Sequence, residues 1–525
     1  MLEITWAWFA AVFVCAVSGI VSWVIGQRRK CFKDFDGTGI PVVPLRSLIN
    51  GNADEYWKPT IIESVGRWLK EYGDVFGFYL GDAPVVVVKD VDMIDKIFVK
   101  DLKNFTARGH MTHVHELQPL FVRNMLFTKG NVWKDVRHTM AQFFTPSKLK
   151  SVMPSMMDAL KRFIEILDEC AERGDEVDIN ALCERLTFDV VSKAAFGIDT
   201  NVQRNPKHPL FQGALVTVPT YMAGFFYNLA QNLFHWPWIF KAFSRVIDMF
   251  YVNPMVALTK KAIDVIEFRR QNPQLVLPDM AQILLDDATG RKSEPLKDNN
   301  EAARPPVSLP METMRDIATN CMVIFLGGYD TTRLALTYWS YIMGKHPDVQ
   351  EKMRTEVLEA FQKEGEELST QSLLNLSYTN QVISETLRMY PPLIGLITRG
   401  SDEDFQCGNY LIKKGMTLLT PTYHLHHDPL YWSDPEKFDP ERFSPQNKHL
   451  VNPIAYQPYG LGIRKCLGQR FAVLELVSVT AHVLRHFRLT LGPSQTRELK
   501  LDTYAVMAIP KEKIWIKLHK LSNGK

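Results

Sequence analysis

The first patterned stretch is Ile4 to Gly26, a run of 23 residues without a charge. At about 1.5 Å per helical residue it reaches across a hydrocarbon core of roughly 30 Å. Trp6, Trp8 and Trp23 stand near its ends, where aromatic rings suit a membrane interface, and Arg28-Arg29-Lys30 follows at once. The pattern predicts a membrane anchor over residues 1–30, with the basic side and the rest of the chain in the cytosol. A cleaved signal peptide is the competing reading, but it wants an earlier positive charge and a shorter apolar core. Next comes Asp36-Gly37-Thr38-Gly39-Ile40-Pro41-Val42-Val43-Pro44, which reads as a stiff Pro/Gly linker over residues 31–50.

Two apolar runs, Val75–Leu80 and Ala83–Val88, flank Gly81-Asp82 and predict a β-hairpin. A helix is expected over Val91–Val99. From about Trp133 onward apolar residues recur at helical spacing, most clearly over Ser147–Ala171, Asp178–Phe196, Met311–Lys345 and Pro347–Glu364. A smaller β signal returns at Phe405–Leu419 and Phe487–Leu491. The fold class is therefore mainly α with a minor β region, forming one large domain over residues 51–525. Asp286–Pro310 is polar and rich in helix breakers, so it reads as an exposed loop. Tyr221–Tyr251 is densely aromatic, interrupted by Lys241 and Arg245. It fits either a core helix or a surface that touches a membrane near a substrate entrance.

Composition changes the picture in three places. The chain holds 30 Phe, 17 Tyr and 11 Trp, enough for a large core around a lipophilic cavity. A net charge of +3 is too small to argue for nucleic acid. Seven cysteines, scattered and without Cys-x-x-Cys spacing, suit free thiols in a reducing compartment.

One of those cysteines carries the chemistry. Tyr459-Gly460-Leu461-Gly462-Ile463-Arg464-Lys465-Cys466-Leu467-Gly468 places a cysteine in a glycine-rich loop just before a helical pattern. The glycines allow close approach to a flat cofactor. Loop amides and the start of the helix favour an anionic sulfur. Arg464, two residues upstream, can hold a carboxylate of that cofactor. A buried structural cysteine before a helix is the alternative reading.

This segment resembles the haem-binding loop of the cytochrome P450 family, Phe-x-x-Gly-x-Arg-x-Cys-x-Gly, and departs from it only at Tyr459, which adds a hydroxyl in need of a partner. Other motifs extend the resemblance along nearly the whole chain. Gly327-Gly328-Tyr329-Asp330-Thr331-Thr332 interrupts an apolar helix and is similar to the family's oxygen-groove motif. Glu385-Thr386-Leu387-Arg388, ending in Met389-Tyr390-Pro391-Pro392, is similar to its Glu-x-x-Arg helix. Pro435-Glu436-Lys437-Phe438-Asp439-Pro440-Glu441-Arg442-Phe443 matches its Pro-x-x-Phe-x-Pro-x-Arg-Phe segment.

The resemblance implies a cytochrome P450 fold and a haem-thiolate catalytic domain. The cofactor is haem b, with Cys466 as axial ligand of the iron and Trp133, Arg137, Arg399 and Arg464 around its propionates. Asp330 and Thr331 are the implied catalytic pair, and Glu385, Arg388 and Arg442 the network that steadies the cysteine loop. It further implies a monooxygenase fed from NADPH through cytochrome P450 reductase, with cytochrome b5 as a second donor, on the endoplasmic reticulum membrane. Lys134, Arg137, His138, Lys148, Lys150 and Lys465 form the expected basic docking face. His424, His426 and His427 are expected to pack or face solvent. The subgroup it looks most like is that of the animal drug- and steroid-oxidising enzymes. The substrate is lipophilic: a xenobiotic, a steroid or hormone, or a fatty acid. The rival is an isomerase or dehydratase acting on lipid peroxides without NADPH.

Overall fold

The computed structural model describes residues 15–521 apart from 16–17, 20–21, 102, 110–122, 224–231, 250–253, 273–274 and 291–307. The expected anchor, Ile4 to Gly26, lies largely outside the described residues. Among the described residues no helix is long and apolar enough to cross a membrane.

Thr60 caps α1 (Ile61–Tyr72) by accepting from the Glu63 amide. β1 (Val75–Leu80) and β2 (Ala83–Val88) form the expected hairpin, with Val75 opposite Val88 and Leu80 opposite Ala83. Every position in both strands is buried because the sheet is covered on both faces. Phe76, Phe78, Val85 and Val87 pack with Val65 and Trp68 of α1. Val75, Tyr79, Val86 and Val88 pack with Phe35 and Ile40. Residues 31–50 thus cover one face of the sheet, and Gly77 leaves room for the Phe35 ring. The helix expected over Val91–Val99 forms as Val91–Ile94 and continues into a π-helical turn, Asp95–Lys100.

The helical part follows in order: α2 (Gly130–Ala141), α3 (Pro146–Arg173), the short β3 (Glu176–Asp178), α4 (Ile179–Phe196), α5 (Pro209–Ala223), α6 (Pro237–Asp248), α7 (Pro254–Gln271) and α8 (Met280–Thr289). Asp279 caps α8 by accepting from Gln282, so the first four residues of the expected loop, Asp286 to Thr289, are helical instead. The 35-residue α9 (Met311–Lys345) runs through the middle of the molecule, buried along most of its length. α10 (Pro347–Glu364) and α11 (Ser377–Met389) follow, and α12 (Gln469–His486) closes the core.

Between and after these lie β4 (Thr398–Gly400), β5 (Phe405–Cys407), β6 (Tyr410–Ile412), β7 (Thr417–Leu419), β8 (Phe487–Leu491), β9 (Leu501–Tyr504), β10 (Met507–Pro510) and β11 (Trp515–Lys520). The β signal at Phe405–Leu419 resolves into the β5–β6 hairpin plus β7. β7 joins β2 in parallel and β4 antiparallel, giving the order β1-β2-β7-β4. That sheet edge carries Arg399 to the Leu461 carbonyl.

Candidate active site

A cavity opens between the middle of α9, α4, Trp133 of α2 and the loop 457–468. The loop owes its shape to backbone sterics. Gly462 sits at φ 57°, and a side chain there would run into the Phe98 carbonyl, so only glycine fits. A 3-10 turn, Gly462–Arg464, then brings the Cys466 amide to donate to Tyr459 O at 2.7 Å. The Cys466 sulfur is exposed to the cavity, which it lines. Burial raises the Cys466 thiol, while the Gly468 amide and the charges of Arg137, Arg108 and Lys465 pull it down.

Around the same cavity stand Arg108, Arg137, Arg399 and Arg464. Arg464 donates to the carbonyls of Thr106, Met125, Leu126 and Thr128, and its guanidinium lies 4.4 Å from the Trp133 ring. Arg137 donates to Lys465 O at 2.9 Å, tying α2 to the cysteine loop. Arg399 donates to Leu461 O and stacks on Phe98, but its Nε has no hydrogen-bond partner. Arg108 donates to Leu396 O and its Nε is likewise unpartnered. Among the described residues no carboxylate pairs with any of the four. Burial depresses all four, and mutual repulsion adds to that for Arg108, Arg399 and Arg464. Guanidinium groups stay charged, so the donor set calls for an anionic ligand with carboxylates, and haem propionates fit it.

On the facing wall, the two glycines of α9 do different things. A side chain on Gly327 would meet nothing, whereas one on Gly328 would press on Val191 of α4 at 3.1 Å. The first keeps the groove open and the second lets two helices touch. Thr331 lines the cavity and donates to Gly327 O at 2.7 Å. Asp330 does not line it. Its buried carboxylate turns toward α4, where Oδ1 lies 2.5 Å from Arg333 without hydrogen-bond alignment, and Arg333 reaches Glu184 at 3.5 Å.

Glu385, Arg388 and Arg442 meet behind the loop. Arg388 grips both oxygens of Glu385, at 2.7 and 2.9 Å, and Arg442 approaches at 3.3 Å. The remaining Arg388 donors reach the carbonyls of His426 and Pro435. His426 connects this cluster to the loop: Nδ1 donates to Arg388 O and Nε2 accepts from the Gln457 amide at 2.8 Å. Burial pushes His426 down to about 3, so it stays neutral in that arrangement.

Trp133, Arg137, Arg399, Arg464, Cys466 and Thr331 are therefore brought to one cavity, Asp330 stands behind it, and the Glu385 cluster stands further back. Sequence reasoning missed Arg108, His426 and Gln457. A cation in the apolar run Phe105-Thr106-Ala107-Arg108 was the one available signal. Only the fold links His426 to Arg388.

Comparison with known proteins agrees with this geometry. The family model for Cytochrome P450 matches residues 41–518. Cytochrome P450 9e2 of Blattella germanica is 30% identical over 557 residues, covering 99% of each chain. Cytochrome P450 3A6 of Oryctolagus cuniculus is 27% identical over 452 residues, 86% of this chain and 85% of the relative. Thromboxane-A synthase of Sus scrofa is 28% identical over 481 residues, 86% of each. The chain belongs to the cytochrome P450 family, monooxygenase oxidoreductases whose cofactor is haem b held by a cysteine thiolate.

Proposed function

We propose that this chain inserts one oxygen atom from dioxygen into a lipophilic substrate, using electrons from NADPH passed through a reductase. The observation that carries the reading is a cysteine sulfur and four arginines, without carboxylate partners among the described residues, opening on one cavity. Cys466 would ligate the haem iron, and Trp133 with Arg108, Arg137, Arg399 and Arg464 would hold the propionates. Bound there, haem supplies the oxygen activation, and a thiolate ligand favours O–O cleavage by donating electron density. The Gly468 amide and Arg137 favour the anionic sulfur against the burial that raises the thiol, and a bound iron would supply the remaining stabilisation. Thr331, released from Gly327 O, can turn its hydroxyl proton into the groove. Asp330, held by Arg333, is a proton source that must rotate off that partner to act. Leu393, Leu396 and Ile324 give the cavity an apolar wall suited to lipophilic compounds.

The membrane belongs to this reading as well. The uncharged N-terminal run is the anchor, and an endoplasmic reticulum location fits it. Trp238 and Val246 of α6, and Met249 just beyond it, are 70%, 53% and 78% exposed beside Lys241 and Arg245, which favours the membrane-touching reading of the aromatic run. Exposed Lys134, His138, Lys150 and Lys465 suit an acidic reductase, with cytochrome b5 as a second donor. Reversing Lys134 and Lys465 to glutamate is expected to slow reduction several-fold at low salt with an unchanged haem spectrum. Unchanged reduction rates would remove this docking face.

Peroxide rearrangement is the second reading, favoured by the position of Asp330 away from the cavity. The deciding experiment incubates purified protein with reductase, NADPH and a panel of steroids, fatty acids and lipophilic drugs. Oxygenated, NADPH-dependent products support the monooxygenase. Conversion of lipid hydroperoxides without NADPH, and no such products, replaces it with the isomerase.

A further inference from the structure

Far from the cavity, three segments converge on one cluster. Cys31 ends the helical stretch at 22–31 and Asp34 follows it, Asp82 sits in the β1–β2 turn, and His235 lies in the loop before α6. Ligand atoms of Cys31, Asp82 and His235 lie within 4.8 Å of one another. His235 Nδ1 is 3.5 Å from Asp82 Oδ2, and its Nε2 is 3.4 Å from Asp34 Oδ1. Cys31 and Asp82 are buried, while His235 and Asp34 are each 27% exposed, leaving one edge open to solvent. Neither His235 Nδ1 nor Asp34 Oδ2 has a hydrogen-bond partner among the described residues.

We propose that Cys31, Asp82 and His235 form a binding site for a divalent cation of the zinc class, with Asp34 orienting the histidine from behind. The donor set mixes one thiol sulfur, one imidazole nitrogen and one carboxylate oxygen, which suits zinc over magnesium or calcium. A carboxylate on the far ring nitrogen is the usual means of fixing a metal-binding histidine. Ligands sharing a tetrahedral zinc lie roughly 3.5 Å apart, so the three must close by about 1 Å. A solvent water completes the fourth position at the exposed edge.

Arg28 is the obvious objection, since it already pairs with Asp82 Oδ2 at 2.7 Å. Its guanidinium is also held by the carbonyls of Leu48, Ile49 and Asn232. It therefore stays in place, and the second lone pair of Oδ2 remains for the ion. Charge balance supports exchange over competition. Burial raises the Cys31 thiol. For His235 burial opposes the charge, yet Asp34 and Asp82 prevail and raise it to about 9. A dication that releases one proton from Cys31 and one from His235 leaves the net charge unchanged. Arg28, Asp34, Asp82 and Tyr79 are the other titratable groups facing the site, and none of them has to change state.

The bound ion would cross-link the segment leaving the N-terminal helix to the sheet and to the loop before α6. The test is equilibrium dialysis of the full-length, haem-loaded protein against zinc sulfate. Expected is one saturable equivalent per chain at micromolar zinc. Cys31→Ser and His235→Gln should each weaken its binding at least 100-fold, and Asp34→Asn about 10-fold, with the haem spectrum intact. If C31S and H235Q bind as the parent does, the cluster is an ion-pair lock and no metal site. Should either variant misfold, Asp34→Asn decides alone, and zinc affinity equal to the parent's overturns the site.

Discussion

Two regions of this molecule bury charge in opposite ways. Behind the cysteine loop, Glu385 is gripped by Arg388 and approached by Arg442, and the spare Arg388 donors reach backbone carbonyls. In front of it, Arg108 and Arg399 face the cavity with an unpartnered Nε each and no carboxylate among the described residues. The first arrangement is complete within the chain, so it holds structure. The second is incomplete, and its missing anion is the signature of a ligand. A buried charge is thus informative through what its partners leave undone.

Breaking the complete region should have the largest effect. Arg388→Ala leaves Glu385 buried with only the longer Arg442 contact and the Asp439 amide, which costs about 3–5 kcal/mol. It also removes the side-chain hold on the His426 carbonyl, loosening the histidine that bonds the Gln457 amide of the loop. Chemical denaturation should show that loss, and the variant should be recovered without bound haem. If Arg388→Ala were recovered with haem and near-parent stability, the contrast would fail.

The incomplete region should respond in the opposite sense. Arg108→Leu removes a repelling cation, so the haem-free chain should be as stable as the parent or more so. The haem-loaded chain should release haem to a scavenging protein faster, by roughly 10- to 100-fold for one lost charged hydrogen bond of about 1.5–3 kcal/mol. Equal destabilisation of both forms would make Arg108 a structural residue. Arg464 is the poorer probe, because it also ties four carbonyls.

How much of this was legible in the sequence depended on whether partners were local. The hairpin at Val75–Val88 and the helices at Met311–Lys345 and Pro347–Glu364 follow from patterns within one element, and the structure reproduces their bounds. Cys466 and its glycines announce a loop in ten residues. Arg108 and His426 did not, since their meaning comes from residues roughly 290 and 40 positions away. The Pro/Gly segment at 31–50 reads as a stiff linker from its own residues, and that Phe35 and Ile40 cover a sheet depends on strands outside it. Asp330 could be named from its motif, but the motif does not say which side of α9 it faces. β9 and β10, four residues each, lacked a signal of their own, whereas β11 carries alternating Ile516 and Leu518 that went unread.

A third kind of buried polar group sharpens the contrast. Glu475 in α12 is fully buried outside the cavity lining, and neither oxygen has a partner among the described residues. Burial alone raises it well above its ordinary value of 4.5. A carboxyl can escape by staying protonated, which a guanidinium cannot. Because the folded value lies above the unfolded one, its contribution is fully present below about pH 4.5 and is lost as the pH rises. Glu475→Gln cannot ionise. Its stability relative to the parent should be near zero below pH 4.5 and grow to roughly 1–3 kcal/mol by neutral pH, with or without haem. A difference that is flat with pH would show that Glu475 has found a partner.

Tyr459 gives the smallest and most discriminating test. Its hydroxyl is as unpartnered as Glu475, but it lines the cavity, beside Cys466. Burial, then Tyr456 and Cys466, raise it far above its ordinary range, so it stays a neutral donor. Removing an orphaned buried hydroxyl regains about 1 kcal/mol of desolvation. Tyr459→Phe should therefore stabilise the haem-free chain by about that amount. If orphans that line the cavity are completed by the ligand and orphans outside it are not, the gain should shrink or reverse once haem is bound. The Glu475→Gln gain should persist. Thermal denaturation of both variants in both states separates the two cases. Equal gains from Tyr459→Phe with and without haem would leave the hydroxyl idle in both, and the rule that cavity orphans mark a ligand would then hold for the arginines alone.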